Sequence, residues 1–215
     1  MARSLSALVD DLVASGYVVS PRLEEAMRRV DRALFLPREM AAYAYIDSPL
    51  HIGHGQTISA PHMVAIMMEV LEAPRGPRCL EIGTGSGYHA ALAAEMIGPE
   101  GMLLTIERVK ELAATASENL EAAGYADRVK VIVGDGSLGY PPAAPYDRIL
   151  VTCAAPGLPK PLAEQLADGG RAVVPIGNRY WQTLYAIDKR GGRLDYKAHG
   201  GCVFVPLIGA HGFDQ

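Results

Sequence analysis

Between positions 81 and 88 the chain reads Glu81-Ile82-Gly83-Thr84-Gly85-Ser86-Gly87-Tyr88. Glycines at this spacing let the backbone turn sharply and let a ligand approach without meeting a Cβ. The G-x-G-x-G interval differs from the G-x-G-x-x-G of dinucleotide binders, and no lysine follows to serve a phosphate loop. Two acids lie further along. Glu107 closes the next apolar run, where an open sheet sets a carboxylate against the two ribose hydroxyls of a nucleoside. Asp135, in Gly134-Asp135-Gly136, closes the run after that, where a carboxylate can accept a hydrogen bond from an adenine amino group. Either acid alone also fits a helix cap or a solvated loop. The glycines and both acids together, each at the carboxyl end of an expected strand, point to a nucleoside pocket with no provision for pyrophosphate. S-adenosyl-L-methionine fits that description.

Such a pocket needs a sheet beneath it. Short apolar runs at Arg78 to Ile82, Met102 to Glu107, Val129 to Val133, Arg148 to Thr152 and Arg171 to Ile176 read as strands. Helical spacing begins at Tyr88, Val109 and about Lys160, with Gly98 and Gly124 as stops. Strand and helix alternating at this interval predict a mostly parallel sheet with helices on both faces, which binds ligands beyond the carboxyl ends of its strands. Upstream, Leu5, Leu8, Val9, Leu12 and Val13 recur at helical spacing and stop at Gly16. Ser20-Pro21 caps a second helix, and the segment from Asp31 to Tyr45 is helical in part, interrupted by Pro37. Residues 46 to 60 read as a polar loop shaped by glycine and proline, followed by a helix from Pro61 to Leu71. At the end, Gln182 to Asp188 and Gly201 to Leu207 read as an antiparallel pair turning at Gly191-Gly192. The expected organisation is one domain: a helical extension and loop over 1–75, a cofactor-binding core over 76–180, and C-terminal strands over 181–215.

Composition narrows the partners. A chain of 215 residues is one domain in size, and 49% hydrophobic residues suffice for a core. Twenty basic against twenty-four acidic residues give a net charge of -4 and no global field to draw in nucleic acid or anionic lipid. No uncharged run of about 18 apolar residues appears, so no spanning helix is expected, and the N-terminus lacks the apolar run of a signal peptide. Cys79, Cys153 and Cys202, odd in number and widely spaced, suit a reducing compartment. The expectation is a cytoplasmic monomer. His51, His54 and His62 have no cysteine or acid at a familiar ligand interval, so no metal is expected. Cys153 and Cys202 read as small buried apolar residues.

Asp47-Ser48-Pro49-Leu50, Gly53-His54-Gly55-Gln56-Thr57-Ile58-Ser59-Ala60-Pro61-His62-Met63, the glycine run from Leu80, Gly134-Asp135-Gly136 and Phe204-Val205-Pro206-Leu207 together resemble the protein-L-isoaspartate O-methyltransferases. The resemblance runs from about Val30 to Leu207. The block before the glycines is far more specific than the glycines and acids, which many methyltransferases share. One departure is His51, where the family leads us to expect proline.

The resemblance implies a Rossmann-like fold, S-adenosyl-L-methionine as donor, S-adenosyl-L-homocysteine as product, and the free α-carboxylate of L-isoaspartyl residues in damaged proteins and peptides as acceptor. The ester would collapse to a succinimide whose hydrolysis returns some normal aspartate. A carboxylate is ionised at neutral pH and a sulfonium is an activated donor, so no strong general base is required. Alignment and removal of water are what the protein must supply. On this reading Gly83, Thr84, Gly85, Ser86 and Gly87 line the cofactor, Glu107 meets the ribose, and Asp135 with Gly136 meets the adenine. Thr57, Ser59 and His62 close over the reacting centre, the two hydroxyls holding the carboxylate without protonating it. Ser59 also stands where it would cap the following helix. Other readings are a methyltransferase of this fold acting on RNA or a specific peptide carboxylate, a nicotinamide dehydrogenase, and a binding module without turnover.

Overall fold

The computed structural model describes residues 4–214. Its centre is a seven-stranded sheet in the order β5-β4-β3-β6-β7-β8-β9. The strands are β3 (Arg78–Ile82), β4 (Met102–Glu107), β5 (Val129–Val133), β6 (Tyr146–Val151), β7 (Leu166–Gly177), β8 (Gln182–Arg190) and β9 (Arg193–Cys202). The first five pair in parallel, while β8 runs antiparallel to both β7 and β9. The chain steps outward from β3 to β4 and β5, then returns to lay β6 on the other side of β3. Backbone loops diverge at that switch and leave a crevice beyond the strand ends.

Alternation along each strand sends neighbouring side chains to opposite faces. Cys79, Leu103, Leu150 and Val173 join one buried cluster, whereas Leu80, Leu104, Ile149 and Val174 join the other. The faces are covered unequally. Helices α1 (Leu5–Ala14), α2 (Pro21–Arg29), α3 (Pro61–Leu71), α4 (Tyr88–Ile97) and α5 (Lys110–Ala122) all contribute to the first cluster, while α6 (Lys160–Gln165) packs on the second beside Tyr146 and Leu207. Ser4 and Ser20 accept hydrogen bonds from Ala7 N and Leu23 N, which starts the first two helices.

Two segments depart from the sequence expectation, and a third, expected to be helical in part, is so as 3-10 turns. The stretch read as a polar loop contains a hairpin, β1 (Leu50–Gly53) with β2 (Gln56–Ile58), turning at His54 and Gly55 with positive φ at both. A two-residue turn of that hand suits the twist of paired strands, and glycine density had masked it. The segment from Asp31 to Tyr45 forms two 3-10 turns, Arg32–Phe35 and Arg38–Tyr43, separated at Pro37. The C-terminal hairpin does turn at Gly191-Gly192, but its second strand is Arg193–Cys202 rather than Gly201 to Leu207. Polar residues along β9 hid it: the outer strand needs to bury little. The apolar run 203–207 is irregular, and its Val205 carbonyl accepts from Ala154 N while Leu207 N donates back to Ala154 O. Within it Phe204 is buried in the first cluster, while Val205, Pro206 and Leu207 line a cavity.

Candidate active site

Two connected cavities open beyond the carboxyl ends of β3, β4 and β6. The larger, of about 110 Å³, runs from Gly83 and Gly85 past Ile106 and Glu107 to Gly136, with Val205, Pro206, Leu207 and Ile208 on its far wall. The smaller, of about 30 Å³, lies beneath the β1-β2 hairpin between Thr57 and Ser59 on one side and Ser86, Tyr88 and His89 on the other. Thr57, Gly83, Gly85 and Thr152 line both, so the two meet there.

The glycine turn is built by steric necessity. Gly83 has φ +94°, and a Cβ there would stand 2.5 Å from the Thr152 hydroxyl, which donates to the Gly83 carbonyl at 2.6 Å. Glu107 is nearly buried at the end of β4. One of its oxygens accepts from Gly85 N at 2.9 Å and the other from Val109 N at 2.9 Å. Two bonds use two of about four lone-pair sites on a carboxylate. The rest remain for hydroxyls in the larger cavity. Ser86 adds a buried hydroxyl with no partner among the described residues. A close backbone approach, a fixed carboxylate with spare acceptors and an unpaired donor fit a nucleoside bearing an amino-acid tail, which is what S-adenosyl-L-methionine is.

Several expected site residues take other positions. Gly87 lines neither cavity. With φ +93° it starts α4, and a Cβ would press on Leu120 of α5 at 3.1 Å, so its small size lets two helices pack closely. Asp135 lines neither cavity as well: one oxygen accepts from Ser137 N and its hydroxyl at 2.9 and 2.7 Å, and the other from Ala210 N at 2.8 Å. Burial pushes its pKa up, but these hydrogen bonds from Ala210 and Ser137 outweigh it and the net shift is downward. The carboxylate thus clasps the C-terminal segment onto the loop after β5, while Gly136 faces the larger cavity. His62 lines neither cavity. Its Nδ1 lies 2.9 Å from Asp47, whose same oxygen accepts from His62 N, and its ring packs on Tyr17 at 5.3 Å. Asp47, in a motif of the resemblance, had no role assigned to it from the sequence.

Ser59 is not the helix cap. Ala60 holds that position and α3 has no side-chain cap, so the Ser59 hydroxyl is free of the helix and lines the smaller cavity. Thr84 is buried and bonds the Thr105 hydroxyl at 2.7 Å, which in turn donates to Glu81 at 2.5 Å. Burial pushes the Glu81 carboxyl up to about 8, opposed by the Thr105 hydrogen bond and assisted by Glu107, so it is neutral at pH 7. Burial also holds His89 down at about 4, an uncharged imidazole. No charged side chain lines the smaller cavity. Among the described residues no group of three His, Cys, Asp or Glu converges as metal ligands, and the three cysteines are buried and free.

Thr152 and the 205–208 wall were not singled out as site residues. Thr152 sits just past β6, at the carboxyl end of a strand already expected; the rule that located Glu107 and Asp135 extends to it. Most of the wall lies in the Phe204-Val205-Pro206-Leu207 motif of the resemblance, but nothing in residue type or spacing brings that distant, irregular segment to the cavity.

A sheet that reverses beside β3, a glycine turn at the reversal and a fixed acid at the tip of β4 define a Rossmann-like, S-adenosylmethionine-dependent methyltransferase. The family model for protein-L-isoaspartate(D-aspartate) O-methyltransferase matches residues 3–212. Relatives of that name are 53% identical over 99% of this chain and 95% of the protein from Methanopyrus kandleri, and 55% identical over 97% and 90% for that from Hyperthermus butylicus. A candidate protein-L-isoaspartate O-methyltransferase from Plasmodium falciparum, solved in complex with S-adenosyl-L-homocysteine, superposes with a TM-score of 0.84 at 30% identity, covering 94% of this chain and 97% of that one. The chain belongs to the protein-L-isoaspartate O-methyltransferase family.

Proposed function

We propose that the chain transfers a methyl group from S-adenosyl-L-methionine to the free α-carboxylate of L-isoaspartyl residues in damaged proteins and peptides. The observation that carries this reading is the smaller cavity: hydroxyls line it, no charged group does, and its one imidazole is held neutral. An acceptor hydroxyl or amine would need a base there. A carboxylate arrives already ionised and needs only to be held and dehydrated.

The cofactor supplies an activated methyl on a sulfonium when bound. Gly83 and Gly85 would admit its amino-acid tail, Thr84 and Ser86 would shape the floor, and the spare lone pairs of Glu107 would accept from the ribose hydroxyls. The adenine would meet Gly136, beside the C-terminal segment that Asp135 holds in place through Ala210 N. Thr57, in β2, and Ser59, just beyond it, would donate to the acceptor carboxylate. His62, through Asp47, anchors the start of α3 and so sets where Ser59 stands.

We further infer that the chain works as a single-domain monomer in the cytoplasm and without nucleic acid. The net charge of -4 and the three free buried cysteines support this, and among the described residues no helix is long and apolar enough to cross a membrane. The test offers two synthetic peptides, one isoaspartyl and one aspartyl but otherwise identical, with methyl-labelled cofactor. Base-labile methyl ester should form on the isoaspartyl peptide alone. Equal labelling of both would remove the repair reading.

A further inference from the structure

Arg32, in the first 3-10 turn, is fully buried, yet among the described residues it has no carboxylate within ion-pair distance. Its guanidinium donates from Nη1 to the Ala44 carbonyl at 2.7 Å, and from Nη2 to those of Ser48 and Ser59 at 3.0 and 3.1 Å, while Nε has no acceptor. Burial lowers its pKa to about 10, and the nearby Tyr88 and Asp47 oppose that shift, so it stays protonated at neutral pH. Asp47 is near enough to act on that charge but makes no ion pair with it, and its Oδ1 is engaged by the His62 backbone and ring. A buried cation without a paired anion is costly, and collecting three carbonyls recovers only part of the lost hydration. The two loop ends it gathers, at Ser48 and Ser59, flank the β1-β2 hairpin.

We infer that Arg32 is a positioning residue for the acceptor. It holds Ser59 by the carbonyl so that the hydroxyl stays at the smaller cavity, and its unpaired charge, one residue's backbone behind that hydroxyl, favours a carboxylate there. This rests on the carboxyl-methylation reading above. A cation in direct contact would occupy the acceptor's lone pairs and blunt its attack. Set behind the backbone, it attracts the anion without donating to it. In the reaction the carboxylate oxygen bonds the methyl carbon as the carbon–sulfur bond breaks, its electron pair staying on sulfur; anion and sulfonium become neutral ester and thioether. The charge of Arg32 therefore stabilises the bound carboxylate more than the transition state. It strengthens peptide binding without raising turnover. It also opposes the like-charged sulfonium.

The test measures isoaspartyl-peptide binding by calorimetry on protein loaded with S-adenosyl-L-homocysteine, with methyl transfer followed in parallel. Arg32→Met should weaken peptide binding about tenfold, while cofactor affinity is unchanged or higher and kcat falls less than KM rises. Arg32→Lys, which keeps the charge and loses the fork, should restore peptide binding to within about threefold of wild type while kcat stays low. If the methionine and lysine variants bind peptide equally weakly, or peptide and cofactor affinities fall together, Arg32 is only scaffold and the proposal is overturned. Should Arg32→Met not fold, the wild-type protein decides. A peptide whose isoaspartyl carboxylate is replaced by a carboxamide should bind at least tenfold more weakly than its parent, and the gap should persist at high KCl, because a buried charge is little screened. A gap that closes with salt would overturn it. Peptide bound with this preference but never methylated would instead refute the carboxyl-methylation reading.

Discussion

Ser59→Ala separates chemistry from folding because the Ser59 hydroxyl does not bond the helix that follows it. Had Ser59 capped α3, its loss would cost about 1 kcal/mol of stability. Ala60 occupies the cap, and no hydrogen bond to the Ser59 hydroxyl exists among the described residues; the only bond at Ser59 outside its strand and helix neighbours uses the carbonyl, which alanine retains. Removing a half-buried, unpartnered hydroxyl should change stability by no more than about 0.5 kcal/mol. For a chain of this length that is a melting shift of about 2 °C or less. The acceptor carboxylate, in contrast, loses a charge-assisted hydrogen bond worth about 1.5–3 kcal/mol, a fall of roughly 10- to 100-fold in kcat/KM. The assay pairs initial rates on an isoaspartyl peptide with a circular-dichroism melt and calorimetric binding of S-adenosyl-L-homocysteine, both expected to match wild type. A melting point several degrees lower, or cofactor affinity lost in step with activity, would refute this account of Ser59.

Gly83→Ala forces a left-handed backbone on a residue with a Cβ and drives that Cβ onto the Thr152 hydroxyl; about 1–3 kcal/mol of stability should be lost, measurable by urea unfolding, along with cofactor binding. Glu107→Gln sets an amide NH2 against either the Gly85 or the Val109 backbone N–H, leaving a donor facing a donor. S-adenosyl-L-homocysteine should bind up to about 100-fold more weakly by calorimetry. Glu81 holds a proton in the folded state up to about pH 8 that the unfolded chain releases near its ordinary value. Its burden is absent at pH 4 and grows as pH rises to 8, since the unfolded state then binds fewer protons. Glu81→Gln should therefore gain on wild type in urea midpoint as pH is raised across that window, and parallel curves would contradict a neutral buried Glu81.

Much of the fold could be read from the chain because the relevant physics is local. Strands β3, β4 and β5 are short apolar runs whose ends match expectation, and Ser20-Pro21 and Gly98 punctuate helices by cap and left-handed turn. The departures share a different cause. The β1-β2 hairpin buries Ile52 and Ile58, but its strands are short and the glycine and polar residues between and beside them break any apolar period. The outer strand β9 buries too little to show a period. Of the stretch from Gly201 to Leu207 read as a strand, only the first two residues end β9; beyond them Phe204 turns into the core and Val205 to Leu207 line the cavity.

For the site, residue type and strand position pointed to the glycine turn and Glu107, whereas Thr57 and Ser59 came only from the family resemblance, because their hairpin read as a polar loop. Which way a side chain points from such a position is settled by partners far away in the chain. Asp135 turns to Ala210, His62 to Asp47 and Tyr17, and Gly87 to Leu120; none of these partners is within ten residues. Arg32 shows the limit most clearly. As a sequence residue it is one arginine among many on a polar stretch. Only the packing of two loop ends around it makes it a buried charge, since desolvation depends on what surrounds a group and not on what precedes it.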